Sequence, residues 1–289
     1  MLFRSKSQFE QIDPTPDTVF FKVKVPEFIL GTDRYLLLDN SDSLKPYPAS
    51  IADDTTRERP AAAKRMNYFR NVLSNIVPPN LLDTFLVGEK NKFPSIFELS
   101  KYSVVILVSE KKFHLLDLPA GRKLYFDNKV IDGIAQYLNL GGKMIISSWD
   151  LYYHIQPIND NPKNFYRNTL HFSPDSNLTA LKKRDCIGAY PNPIFGYPEI
   201  TVDTTKVLKN TTTGVYAVDS IITGRATGFG EVIYFYNSFT NGPTKPMGIR
   251  YIGPEKSYRI IYFGFPLFYT YRETAEAVLR KAITDIQQP

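Results

Sequence analysis

Four stretches of this 289-residue chain place a strand-end turn directly after a short apolar run, and three of them carry residues there able to do acid–base or hydrogen-bonding chemistry. Tyr35-Leu36-Leu37-Leu38 leads into Asp39-Asn40-Ser41-Asp42, and Ser103 to Val108 leads into Ser109 and Glu110. Lys143-Met144-Ile145-Ile146 leads into Ser147-Ser148-Trp149-Asp150, and Tyr258 to Phe263 leads into Gly264-Phe265-Pro266. In an open α/β sheet, ligands bind in the crevice outside the carboxyl ends of the strands. The candidate crevice is therefore Asp39, Asp42, Ser109, Glu110, Ser148, Trp149, Asp150 and Phe265. Carboxylates from three neighbouring strand ends could hold a divalent cation through oxygen ligands or form a general acid/base pair. Asp, Asn and Ser also cap strand-to-helix turns locally, so a purely structural role stands beside the chemical one. Trp149, the single tryptophan, suits either a pocket wall or packing at the sheet's rim.

Other chemistries find less support. A nucleophile elbow needs small residues around its Ser or Cys, whereas Ser147 and Ser148 are followed at once by Trp149 and Asp150. Cys186 sits in Arg184-Asp185-Cys186-Ile187-Gly188, away from any buried-strand signal. The three histidines, His114, His154 and His171, show no metal-ligand spacing. After the first strand, Asp39 to Asp42 would repel phosphate rather than cradle it. No catalytic residue, metal set or cofactor is assigned.

The elements that must position these residues follow from periodicity. The runs at 35–38, 103–108 and 143–146 are continuously apolar, as strands buried on both faces are. A weaker strand falls at 84–88. Met66, Phe69, Leu73 and Ile76 give a helix at 61–77 one apolar face, and Pro78-Pro79 ends it. A short helix is predicted near 95–101. Another, at 128–140, carries Val130, Ile131, Ile134, Ala135 and Leu138 on one side and ends at Gly141-Gly142, where glycine supplies a left-handed cap. A closing helix at 271–286 buries Ala275, Val278, Leu279, Ala282, Ile283 and Ile286. Strand–helix–strand units with short links imply right-handed crossovers and a parallel sheet. Strands at 215–222, 231–236 and 249–252 read as an antiparallel extension, and 151–212 as a long irregular insertion. Residues 1–33 form an N-terminal extension. There the alternation at Val19 to Val25 suggests an edge strand or the remnant of a preceding β-domain. The fold class is thus α/β: an open, mostly parallel, flavodoxin-like sheet with helices on both faces, spanning 34–289.

Composition narrows the partners. The chain has 43% hydrophobic and 22% charged residues, which is globular rather than disordered. Its 20 Phe and 19 Tyr suit extensive sheet. The net charge is +6, but Lys111-Lys112, Lys182-Lys183-Arg184 and Arg280-Lys281 are short and scattered, unlike the concentrated basic face of a nucleic-acid binder. One cysteine excludes an intrachain disulfide. No apolar run reaches the roughly 20 residues that span a bilayer. The N-terminus lacks the apolar core of a signal peptide, so the protein is extracytoplasmic if a leader has been removed and cytoplasmic otherwise.

Lys101-Tyr102-Ser103-Val104-Val105-Ile106, Tyr137-Leu138-Asn139-Leu140-Gly141-Gly142-Lys143-Met144-Ile145-Ile146 and Phe263-Gly264-Phe265-Pro266-Leu267 together resemble the class I glutamine amidotransferase-like superfamily, in particular its divergent members without the catalytic apparatus. Active members use a Cys in an elbow and a His followed two residues later by Glu. Here Cys186 lacks the elbow, and His114, His154 and His171 are followed at that distance by Leu116, Gln156 and Ser173. The resemblance implies a non-catalytic binding or structural module, beside other domains of a larger bacterial envelope or secreted protein. The alternatives are a hydrolase using the carboxylate-lined crevice, with or without a divalent metal, and a carbohydrate-binding module using exposed tyrosines and Trp149.

Overall fold

The structure is a computed structural model that describes residues 33–40, 62–90, 92–109, 128–148, 165–175, 185–207, 209, 213–218, 221, 223–240, 242–254 and 257–288. The expected strand at Val19 to Val25 lies outside these residues. So do the basic runs at 111–112 and 182–184. Among the described residues, eleven strands follow in chain order: β1 (Tyr35–Asp39), β2 (Leu82–Leu86), β3 (Val104–Ser109), β4 (Lys143–Ser148), β5 (Phe172–Pro174), β6 (Cys186–Pro191), β7 (Ile200–Thr201), β8 (Gly224–Ala226), β9 (Glu231–Ser238), β10 (Gly242–Ile252) and β11 (Arg259–Phe263). The helices are α1 (Ala62–Leu73), α2 (Val87–Lys90), α3 (Ile96–Leu99), α4 (Asn128–Asn139) and α5 (Arg272–Gln287).

Nine strands form one sheet in the order β2-β1-β3-β4-β11-β10-β9-β6-β7, and β5 and β8 pair separately. Leu37, Ile106, Ile145 and Ile261 stand abreast on four adjacent parallel strands. The apolar runs therefore lie side by side, as their two-faced burial requires. One face carries Leu37, Ile106 and Ile145 against Phe69 and Leu73 of α1 and Val278, Leu279 and Ala282 of α5. The other carries Leu36, Leu107 and Ile146 against Ile134, Tyr137 and Leu138 of α4 and against Phe165 and Tyr166. At the end of α4, Gly141 takes a φ of 89° and the amide of Gly142 donates to the Tyr137 carbonyl, the left-handed ending expected of that Gly-Gly pair. Arg259 Nη1 donates to the Ile286 carbonyl at 3.2 Å, satisfying one of the orphan acceptors at the end of α5.

Three expectations change. The sheet is half parallel rather than mostly so: β2, β1, β3, β4 and β11 make four parallel pairings, and β10, β9, β6 and β7 add four antiparallel ones. Residues 151–212 are not uniformly irregular, because they supply β5, β6 and β7 and a π-helical turn at Phe165–Thr169. Their pattern hides this because β6 contains Gly188 and ends at Pro191, with a register shift between Cys186 and Gly188. A Cβ on Gly188, whose φ is 151°, would sit 1.8 Å from the Ile200 carbonyl oxygen, so only glycine fits this close approach. The expected strand at 215–222 is realised, among the described residues, as two isolated bridges, Lys209 to Tyr216 and Cys186 to Val218.

Candidate functional site

Strand alternation sorts the carboxyl edge of the parallel strands into two faces. Asp39 and Ser147 follow Leu37 and Ile145 toward α1 and α5. Asn40, Ser109 and Ser148 follow Leu38, Leu107 and Ile146 toward α4. The two faces have different bonding.

On the α1 side the two polar side chains at the strand ends, Asp39 and Ser147, are both partnered. The Asp39 carboxylate is 1% exposed and accepts from Arg65 Nε at 3.1 Å and Nη2 at 3.3 Å, while Arg65 is itself 2% exposed. A two-point guanidinium–carboxylate contact of this kind neutralises both charges inside the core. Ser147 Oγ donates to the Phe265 carbonyl at 3.4 Å and accepts from the Leu267 amide at 3.2 Å. It thus pins the 3-10 turn Leu267–Tyr269 to the end of β4. Phe265, expected to line the crevice, is closed from solvent in the core on this side.

On the α4 side the register sets three uncharged residues in a row. Ser109 pairs with Ser148, and Asn40 extends β1 by one step because its amide donates to the Val108 carbonyl at 3.0 Å. All three are buried. The Oδ1 of Asn40 and the Oγ of Ser148 are closed from solvent and have no hydrogen-bond partner among the described residues. Buried polar groups are paired in the great majority of cases, so two orphans in one row need a reason.

Of the other sequence candidates, Asp42, Glu110, Trp149 and Asp150 lie outside the described residues. Two residues of this edge were not singled out from sequence. Arg65 had a usable signal: it is a cation on the apolar stripe of α1, four residues before Phe69 and next to Met66, and a buried cation requires a carboxylate partner. Asn40 is one residue past an apolar run and is indistinguishable there from a turn-former.

Among the described residues, the one cysteine and the one histidine sit elsewhere. Cys186 starts β6 in the antiparallel half, its thiol donating to the Gly188 carbonyl at 3.3 Å, and burial pushes its pKa far up. It is a packing residue. His171 lies on the α4 side with a φ of 54°, its Nε2 2.7 Å from the Tyr258 hydroxyl and its Nδ1 3.3 Å from the Thr227 carbonyl oxygen. Its ring stacks on Tyr251 at 4.1 Å. Burial lowers its pKa, outweighing the opposing hydrogen bond to Thr227.

Among the described residues, no group of three or more His, Cys, Asp and Glu side chains is placed to hold a metal ion, and no helix is long and apolar enough to cross a membrane. No protein-family model matches the chain, and no curated protein matches it by sequence. The fold is similar to that of a Salmonella typhimurium cytoplasmic protein, with 14% identity and a TM-score of 0.48 over 87% of this chain and 98% of that one. It is also similar to part of a cold-adapted β-galactosidase from a Rahnella species, with 8% identity and a TM-score of 0.49 over 90% of this chain and 32% of that one. A second Salmonella typhimurium cytoplasmic protein aligns at 14% identity and a TM-score of 0.42, over 88% of this chain and 100% of that one. By its own strand order the chain is a mixed α/β protein whose nine-stranded sheet changes from parallel to antiparallel at β11.

Proposed function

We propose that this chain is a non-catalytic binding module of the flavodoxin-like type, akin to the divergent amidotransferase-like domains its sequence resembles, with its recognition site at the carboxyl edge of the parallel strands. The order β2-β1-β3-β4-β11 supports the flavodoxin-like reading, since it is the doubly wound order 2-1-3-4-5. The observation that carries the functional reading is the state of Asp39. This carboxylate stands at the strand end where a general base or metal ligand would stand, yet its oxygens are engaged by Arg65 within the core. A carboxylate held this way is structural, and its neighbours Asn40, Ser109 and Ser148 carry no charge with which to replace it.

The test is an activity screen of the purified chain against glutamine, aryl esters and aryl glycosides, run beside Asp39→Asn. The expected outcome is no turnover above the buffer rate and a loss of stability in the variant. Turnover by the wild-type chain that Asp39→Asn abolishes overturns the reading.

A further inference from the structure

We infer that the amino edge of the parallel strands is a docking surface for an anionic lipid bilayer, with Phe229 and Ile194 as its apolar tips. This goes beyond the binding-module reading, whose site is at the opposite, carboxyl edge, and does not rest on it.

The topology brings the two tips to one edge. β11 pairs antiparallel with β10, and β10 with β9, so β9 begins at the edge where β11 begins. Phe229 lies two residues before β9. Ile194 is on the 3-10 turn Pro193–Phe195, which follows β6 where that strand reaches the same edge. Phe229 is 84% exposed and Ile194 82%, the highest values among the large apolar side chains described.

Both turns are tied down. The Gly230 amide donates to the Thr227 carbonyl at 3.0 Å, the Thr227 amide to the His171 carbonyl at 2.8 Å, and Thr227 Oγ1 to the Arg167 carbonyl at 2.8 Å. Beneath Ile194, Asn192 Nδ2 donates to the Val232 carbonyl at 2.9 Å, and the Phe195 ring lies under the Arg250 guanidinium at 4.0 Å. The backbone at each tip is fixed, and the side chain it carries meets solvent.

Four cations whose side chains have no partner among the described residues share this edge. Lys101 precedes β3 and Lys143 starts β4. Arg167 is bonded through its carbonyl to the turn of Phe229, and Arg225 is two residues before Thr227 on β8. Of the carboxylates nearby, Asp83 is held by Arg34 at 2.6 Å and Glu231 by Arg250 at 2.8 Å. Glu199, exposed just before β7, is outnumbered by the four cations.

The occupant must therefore be apolar where the tips enter and negative around them. A second copy meeting this edge with its own would set the same cations against each other. A protein partner would need a pocket for each protruding side chain. A bilayer interface takes protruding apolar side chains at any spacing, and its anionic headgroups attract Lys and Arg held near it. No helix among the described residues can cross a membrane, so the contact made by this edge is peripheral. It turns the carboxyl edge away from the lipid.

The experiment is co-sedimentation of the full chain with vesicles of phosphatidylcholine alone and of phosphatidylcholine mixed with phosphatidylglycerol. Expected is binding to the mixed vesicles at about 0.1 M salt that weakens at about 1 M, where the Debye length falls from roughly 10 Å to 3 Å. Each cation near an anionic surface strengthens binding about fivefold, so Arg225→Glu should weaken it at least that much. Phe229→Ser should weaken it about tenfold. Lys90→Glu makes the same change of net charge in α2, past the carboxyl end of β2, and should bind as the wild type does. Circular dichroism checks that each variant is folded, and Ile194→Ser replaces Phe229→Ser if that variant is not. No binding to mixed vesicles overturns the inference. So does equal binding to phosphatidylcholine alone, or full binding by the variant that lacks a tip. Equal weakening by Lys90→Glu and Arg225→Glu overturns it as well, because net charge alone would then drive the contact. Self-association that Phe229→Ser abolishes, without vesicle binding, assigns the tips to a second copy and overturns it too.

Discussion

Two buried polar clusters, one in each half of the sheet, end up in opposite states. In the antiparallel half, Asp185 at the start of β6 accepts hydrogen bonds from the Tyr236 hydroxyl, from Ser238 Oγ at 2.6 Å and from Thr240 Oγ1 at 2.9 Å. Thr240 also closes back on Ser238, its amide donating to Ser238 Oγ at 3.1 Å. This cluster joins the turn after β9 to β6, and its polar atoms are satisfied by one another. In the parallel half, the row Asn40–Ser109–Ser148 lies at the end of three strands with two of its polar atoms unpaired among the described residues. Asp185, Tyr236 and Ser238 are buried, as the row is, so burial alone does not distinguish the two clusters. Hydrogen-bond satisfaction does. The first network is closed on itself, and the row at the sheet edge leaves two buried polar atoms outside any network.

The largest effect expected is at Arg65. It sits on the same edge as the open row but on the other face, paired with Asp39, so Arg65→Ala leaves Asp39 as a buried charge without its guanidinium. A loss of about 3–5 kcal/mol in denaturant unfolding follows. A loss under about 1 kcal/mol would break the comparison, because pairing would then not govern stability at this edge.

A smaller effect concerns pH. His171 is joined to the elements around it by contacts with Thr227 and Tyr258, and burial holds its pKa below the ordinary value. The folded state therefore takes up a proton less readily than the unfolded chain. The stabilising contribution is complete above the unfolded value of about 6.5 and is lost as pH falls from there through the folded value. His171→Gln should flatten stability against pH between about 7 and 5. An unchanged or steeper slope would show that the neutral imidazole is not what this packing favours.

The parallel half was legible in the sequence because its strands are sandwiched. Burial on both faces leaves no room for alternation, and Tyr35 to Leu38, Val104 to Val108 and Met144 to Ile146 read as unbroken apolar runs. α5 was equally plain, since all six residues assigned to its inner face are buried. The antiparallel half was legible only in part: the expected strands at 231–236 and 249–252 fall in β9 and β10, while β6 and the first half of β10 resisted for an opposite reason. β6 and β10 are interrupted by register shifts at Gly188 and around Pro243 and Pro246, and bulges erase the two-residue period on which strand reading depends. The site was legible by halves as well. Strand ends located Asp39, Ser109 and Ser148, but which of them was paired depended on Arg65, which is 26 residues from Asp39 in sequence. No local pattern reports a partner at that distance.

Two serines present the same substitution in the two clusters. Ser238 and Ser148 are both buried on strands of one sheet, one bonded to Asp185 and the other an orphan. Urea unfolding of Ser238→Ala and Ser148→Ala, compared with the wild type, tests the distinction most directly. The account predicts a loss of about 1–3 kcal/mol for Ser238→Ala, and no loss or a gain of a few tenths for Ser148→Ala. Equal losses in the two variants would contradict it, because the Ser148 hydroxyl would then be as fully bonded in the free protein as that of Ser238.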